Sequence, residues 1–142
     1  MTYKNPKAYA WRLLSMLIRL KDANENGMIT CCSCGKEIFW READAGHFEP
    51  KGTGAKGKAL EYYERNIHAQ CSPCNRNQGY NRARKEQIKI NYSVFMMKKY
   101  GEGIFDELER VKRKITQYKE FHWIALIQEY KKRLAKFKLY KP

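Results

Sequence analysis

The chain has no hydrophobic run long enough to cross a bilayer. Its most apolar stretch, Trp11 to Leu20, is short and is interrupted by Arg12 and Arg19. The start, Met1-Thr2-Tyr3-Lys4-Asn5-Pro6, lacks the apolar segment of a secretory signal, so a soluble cytosolic protein with no membrane partner is expected. The cysteines number five, an odd count that disfavours a closed disulfide framework. Acidic residues are scarce, with 15 Asp and Glu against 29 Lys and Arg. No internal repeat or low-complexity tract is evident. The glycines of Pro50-Lys51-Gly52-Thr53-Gly54-Ala55-Lys56-Gly57-Lys58 match neither a Walker loop nor a dinucleotide fingerprint. At 142 residues the chain can hold one modest core.

What is present is positive charge, unevenly placed. The net charge of +14 favours polyphosphate or anionic partners, and nucleic acid above a membrane surface, because the apolar helix positions are needed for a core. Residues 1–74 carry 11 Lys and Arg against 8 Asp and Glu, whereas residues 75–142 carry 18 against 7. The second half is therefore the electrostatic handle. Lys112, Arg113, Lys114 and Lys131, Lys132, Arg133 are candidate phosphate contacts, with a solvated helix face as the alternative. Lys51, Lys56 and Lys58 lie in the Gly-rich segment, which reads as a mobile basic loop: either a phosphate-contacting flap or a tolerated surface insertion. Arg76, Arg82 and Arg84 complete the candidate nucleic-acid contacts.

Two Cys-x-x-Cys pairs, Cys31/Cys34 and Cys71/Cys74, stand 40 positions apart. Four soft thiolates in two tight knuckles suit a closed tetrahedral zinc site, and Cys32 is left as a spare thiol. Between the pairs lie Gly46-His47-Phe48 and Asn66-Ile67-His68-Ala69-Gln70. A histidine on a strand facing a helix that starts in a zinc knuckle can serve as a base. Asn75, His68 and Asp44, then Glu42 and Glu49, are the residues available to hold a divalent cation beside it.

The patterning predicts an N-terminal helix from Asn5 and Pro6 to Gly27, with an apolar stripe of Trp11, Leu14, Leu17, Ile18 and Leu20. Short strands are expected at Ile38-Phe39-Trp40 and Gly46-His47-Phe48. From Asn81 helix is expected to the end. Its stripes are Ile88, Tyr92, Phe95, Met96; then Ile104, Phe105, Leu108, Val111, Ile115, Tyr118; then Phe121, Ile124, Ile127, Tyr130, Leu134, Phe137. The tyrosines mostly sit at stripe positions, where core packing is the stronger reading than base stacking. The last two stripes could build a homodimer or a monomer core.

Taken in order, Cys-x-x-Cys-Gly, Gly46-His47-Phe48-Glu49-Pro50 and Asn66 through Asn75 resemble the HNH nuclease pattern of the ββα-metal fold. More narrowly, with Gln70, Gly79, Asn81, Lys99-Tyr100-Gly101 and Leu108-Glu109-Arg110, the chain resembles the phage NinG/Rap recombination protein family over roughly residues 28–140. The resemblance implies an α-rich α+β protein. A zinc-stapled ββα module at 28–82 would follow an N-terminal helix at 1–27 and precede basic helices at 83–142, all in one compact domain. It implies His47 as general base, Asn66 bracing the loop that presents it, Asn75 on a catalytic Mg²⁺ or Mn²⁺, and His68 as a second candidate ligand. It further implies metal-dependent endonuclease action on branched recombination intermediates such as Holliday junctions and D-loops, in the host cytoplasm, with recombination proteins as candidate partners. Gly46 departs from the pattern, because many HNH nucleases carry an acidic cation ligand there. A non-catalytic zinc module that binds junctions or a recombinase is the alternative, and an RNA-binding module a further one.

Overall fold

The computed structural model describes residues 2–50 and 57–142. The fold is a helix-rich small α+β arrangement with two two-stranded antiparallel sheets. Helix α1 (Pro6–Asp22) begins as expected, with Asn5 accepting a hydrogen bond from the Ala8 N–H and Pro6 in the first turn. It stops before Gly27. Ala23 is extended, and Asn24 Oδ1 accepts from the N–H groups of Asn26 and Met28, so a side-chain turn competes with the helix ladder. Gly27 has φ +81° and begins the turn into β1.

Strands β1 (Met28–Thr30) and β2 (Glu37–Phe39) form a hairpin whose turn carries the first cysteine pair. Trp40, expected to extend β2, instead starts a 3₁₀ turn (Trp40–Glu42) and is buried. Strand β3 (Asp44–His47) pairs with β4 (Ile67–Gln70), Asp44 opposite Gln70 and His47 opposite Ile67. Phe48 lies just past β3. Helix α2 (Lys58–Glu61) and a 3₁₀ turn (Glu64–Asn66) lead into β4, and helix α3 (Ser72–Arg76) follows it directly.

The C-terminal region is three helices, one for each of the three apolar stripes. Helix α4 (Arg82–Tyr100) is capped by Asn81 and closed by Gly101 at φ +85°; α5 (Gly103–Lys112) and α6 (Glu120–Leu134) follow. The chain leaves helical hydrogen bonding between α5 and α6, so Ile115 is 74% exposed and the second stripe ends at Val111. In α6 the core face is Trp123, Ile127, Tyr130 and Leu134; Phe121 is out of phase with it and 63% exposed.

The β3–β4 sheet is a wall between two cores. Ala45, Ile67 and Ala69 face α1 and α6 with Leu13, Leu14, Leu17, Ile127 and Leu134. On the other side, Phe48 and Leu60 pack with Tyr92, Met96, Ile104 and Leu108 of α4 and α5. Strand β4 is buried along its whole length, because its alternating side chains enter both cores.

Candidate metal centre and adjoining site

The β1–β2 turn and the start of α3 bring Cys31, Cys34, Cys71 and Cys74 together, with all four sulfurs within 4.8 Å of one another. Cys34 and Cys71 Sγ are 3.7 Å apart, close to the roughly 3.8 Å separation of thiolates at 2.3 Å around one tetrahedral zinc. The four cysteines could therefore hold a zinc ion. Three are buried and Cys34 is exposed. The Ser33 N–H points at Cys31 Sγ at 3.4 Å, as a knuckle amide does. Cys32 is not among the four: it packs against the second core, where burial pushes its thiol up.

Beside this centre, His47 ends β3 and lies half-buried, stacked on Trp11 with ring centroids 5.1 Å apart and planes at 17°. Its Nε2 is 2.9 Å from the Glu61 carbonyl. A carbonyl oxygen only accepts, so Nε2 carries the hydrogen and Nδ1 is the basic nitrogen. Asn66, fully buried, ties the segment after His47 to α2. Its Oδ1 accepts from the Glu49 N–H at 2.9 Å, and its Nδ2 donates to the carbonyls of Glu49 (3.0 Å) and Leu60 (3.3 Å). The Phe48 N–H also donates to the Asn66 carbonyl.

Asn75, on α3, faces β3 from the side. Its Nδ2 donates to Asp44 Oδ2 at 3.0 Å, and the Asp44 carboxylate also accepts from Ser72 Oγ and Arg76 Nε. Three clefts meet at Asn75. One, of about 370 Å³, contains Trp11, His47, Glu61 and Lys7; one, of about 420 Å³, contains His47, Gln70, Lys85 and Lys89; the third, of about 400 Å³, is flanked by Arg19, Arg41 and Arg76. His47 and Asn75 share the first two.

His68 is not in this group. It lies on the face of the sheet away from His47, 3% exposed, with Nδ1 3.1 Å from Asp22 Oδ2 and Nε2 2.7 Å from the Tyr100 hydroxyl. Both ring nitrogens are committed to neighbours, which makes His68 a tie between the end of α1 and the end of α4. Glu49 sits between Lys89 (3.6 Å) and Lys112 (3.9 Å), and Glu42 is exposed on the 3₁₀ turn.

Residues 4–139 match the family described as "Bacteriophage Lambda NinG protein". The chain belongs to the NinG family. It is 28% identical over 138 residues to Protein ninG of Salmonella phage P22, covering 91% of this chain and 58% of that protein. Against the ninG proteins of Escherichia phages lambda and 933W it is 31% identical over 108 residues, covering 73% of this chain and 46% of theirs. The chain thus spans about half the length of the curated relatives it matches. No solved structure matches.

Of the described candidate nucleic-acid contacts in this NinG-family chain, Arg76 lines one of the clefts and the others stand elsewhere on the surface. Arg76 stands beside Asn75; Arg82 and Arg84 are exposed at the start of α4, Arg84 over the Tyr80 ring at 3.9 Å; Lys58 opens α2. Lys112, Arg113 and Lys114 are exposed at the end of α5. Lys51 and Lys56, with the basic loop expected there, lie outside the described residues. Among the described residues no helix is long and apolar enough to cross a membrane.

Trp11, a member of the apolar stripe of α1, lies against His47. Lys89, which donates to the Phe48 carbonyl while its ammonium lies over the Phe48 ring, carried no motif signal. The Glu61 carbonyl that orients His47 has no side-chain signature at all.

Proposed function

We propose that this NinG-family chain is a metal-dependent endonuclease of HNH type that cuts branched DNA, with β3, β4 and α3 as its ββα unit. The observation that carries the reading is His47 held by the Glu61 carbonyl through one ring nitrogen, on a segment braced by buried Asn66, with Asn75 in the same clefts. A base whose tautomer and position are both restrained is what hydrolysis of an unactivated phosphodiester requires.

His47 Nδ1 accepts a proton from water; the water oxygen bonds to phosphorus, and the bond to the leaving ester oxygen breaks. Trp11 keeps the imidazole plane fixed by stacking. Asn75 would offer its amide oxygen to a divalent cation, a hard ligand that suits such an ion together with phosphate oxygens and water. When bound, Mg²⁺ or Mn²⁺ would neutralise charge on the phosphate and leaving oxygen. The cysteine cluster would hold structural zinc and so fix the start of α3 against the β1–β2 turn. Lys7, Lys85, Lys89 and Arg76 line the clefts in which a phosphate backbone would lie. Branched DNA as substrate, recombination proteins as partners and the infected host's cytoplasm as location follow from the family resemblance and belong to this same proposal.

The test is cleavage of labelled four-way junction, D-loop, single strand and linear duplex with Mg²⁺, Mn²⁺ or EDTA. Wild type should cut branched substrates with either cation and not with EDTA. His47→Ala should lose roughly 10²–10⁴-fold in rate while keeping fold, zinc and junction affinity. Tight junction binding without cleavage under any cation would favour a non-catalytic junction-binding module, and preferential binding of RNA over DNA would favour an RNA-binding one.

A further inference from the structure

A further cleft, of about 330 Å³, adjoins the one that holds Trp11 and His47. It contains Tyr3, Lys4, Tyr9 and Arg12, and it shares Asn5 and Ala8 with the His47 cleft. On its other side the His47 cleft shares Trp11, Ala45 and Asn75 with the cleft of Arg41 and Arg76. The three join along one face of α1, where Ala8, Trp11, Ser15 and Arg19 recur at intervals of three and four residues. From Ala8 to Arg19 that face rises about 16 Å, the span of roughly five phosphates of one strand.

The cations at the two ends of this groove differ in kind from those elsewhere. Arg12 lies over the Tyr9 ring at 5.0 Å, Lys131 over the rings of Tyr3 (5.4 Å) and Tyr9 (5.2 Å), and Arg41 over Trp40 at 4.5 Å. None of the three forms an ion pair with a carboxylate among the described residues. An aromatic face holds a cation in place without neutralising it. By contrast, Arg82, Lys112 and Arg113 are each paired with a glutamate, Glu86, Glu49 and Glu109. Arg84 is held over Tyr80 but lines none of the three joined clefts. The acids along the groove are themselves matched, Glu61 by Lys7 at 3.8 Å and Asp44 by Arg76 at 3.3 Å.

We infer that the strand to be cut lies along α1, across the Trp11–His47 pair, with Arg12 and Lys131 gripping its phosphates on one side of the scissile bond and Arg41 on the other. The inference rests on the nuclease reading and adds to it the path of the substrate and three residues that position it. A cation already paired with a glutamate gives up part of that attraction when a phosphate arrives, whereas one held by a ring keeps its whole charge for the strand. The other exit from the His47 cleft, toward Lys85 and Lys89, leaves α1, and Lys89 there is committed to Glu49 and the Phe48 carbonyl. A strand gripped at both ends holds the phosphate between them against His47. Arg12 and Arg41 belong to the nearly neutral first half of the chain, so a count of charges along the sequence passes over them.

The experiment is fluorescence anisotropy of a labelled four-way junction with the zinc-loaded chain, without added Mg²⁺ or Mn²⁺ and over a range of salt, which reads binding apart from cleavage. Arg12→Gln/Arg41→Gln should weaken binding by about tenfold or more and lower the slope of log affinity against log salt by about two, because each phosphate contact releases about one counterion. Lys131→Gln alone should lower the slope by about one. Arg12→Lys/Arg41→Lys keeps both charges and should restore the slope, which a purely structural role for the two guanidinium groups would not do. Arg12 and Arg41 are exposed, so the variants should melt with wild type by circular dichroism. Wild type that binds no junction, an unchanged slope in both Arg12→Gln/Arg41→Gln and Lys131→Gln, or a lysine pair that fails as the glutamine pair does would each overturn the path. Binding that follows this pattern in a chain that cuts nothing once Mg²⁺ or Mn²⁺ is added would keep the groove and remove the nuclease reading. Wild-type affinity and cleavage in Arg12→Gln/Arg41→Gln would remove the path and keep that reading.

Discussion

Replacing Asn66 offers a direct way to weigh the brace beneath His47. In the folded chain its amide makes three hydrogen bonds to backbone groups that are far apart in sequence: the N–H and carbonyl of Glu49, and the carbonyl of Leu60. Asn66→Ala removes all three and leaves those groups without their partner, the Leu60 carbonyl in a buried place and the Glu49 backbone in a part-buried one. At about 1 kcal/mol net per bond the loss is about 3 kcal/mol, before any added cost of leaving buried groups unpaired. An unfolding entropy of roughly 2.1 cal/mol/K per residue over a chain of this size converts 3 kcal/mol into a drop of about 10 °C in Tm.

Asn66→Asp sharpens the test, because it is nearly isosteric. One carboxylate oxygen can still accept from the Glu49 N–H, but the other would face two carbonyl oxygens that Nδ2 now supplies with hydrogens. The conservative change should therefore be at least as damaging at neutral pH as the alanine. Its deficit should shrink on acidification, where a protonated acid can donate again. The assay is thermal unfolding followed by circular dichroism at pH 7 and pH 5 on zinc-loaded protein. An Asn66→Ala Tm within about 2 °C of wild type, or an Asn66→Asp protein as stable as wild type at pH 7, would refute the brace.

Three further outcomes are expected. The purified chain should carry about one zinc by elemental analysis, and Cys71→Ser should lose it and unfold or aggregate, because binding energy at a closed thiolate site is folding energy. Neutralising Lys112, Arg113 and Lys114 together should flatten the slope of log DNA affinity against log salt; an unchanged slope would assign them to a solvated face. Glu64, hydrogen-bonded by Arg133 of α6 and Lys21 of α1, has its carboxyl held down to about 2 against an ordinary 4.5. The depressed value means this contribution is fully present above about pH 4.5 and is lost as pH falls toward 2. Acid titration of wild type and Glu64→Gln should differ in that window, the variant losing less stability; coincident curves would deny the linkage.

The cysteine centre was legible because both halves of it are local: each knuckle is four residues long, and its spacing reports its geometry. Asn5 and Pro6 were legible for the same reason. Errors arose where apolar residues continue beyond the element that uses them. Ile115 extends the α5 stripe by four, yet the helix has ended at Lys112, and Phe121 is apolar but two residues out of phase with the Trp123–Leu134 face. His68 could be read as a cation ligand only while Asp22 and Tyr100 were unknown neighbours, one 46 residues before it and the other 32 after.

Strand alternation explains why the site needs two separate supports. On β3, Asp44 and Gly46 face one way and Ala45 and His47 the other, so His47 and the carboxylate that holds Asn75 lie on opposite sides of a single strand. His47 and Asn75 share clefts only because α3 brings Asn75 around the strand. Asn75 directly follows Cys74, and its N–H donates to the Cys71 carbonyl at 3.0 Å, so the metal-binding knuckle governs where its side chain stands. His47 is governed instead by Asn66 and the Glu61 carbonyl. Loss of zinc should therefore displace Asn75 before it disturbs His47, and loss of Asn66 should do the reverse. The two halves are joined through the register of β3 on β4 and through α4, whose Asn91 donates to the Ser33 carbonyl in the knuckle while its Lys89 donates to the Phe48 carbonyl beside His47.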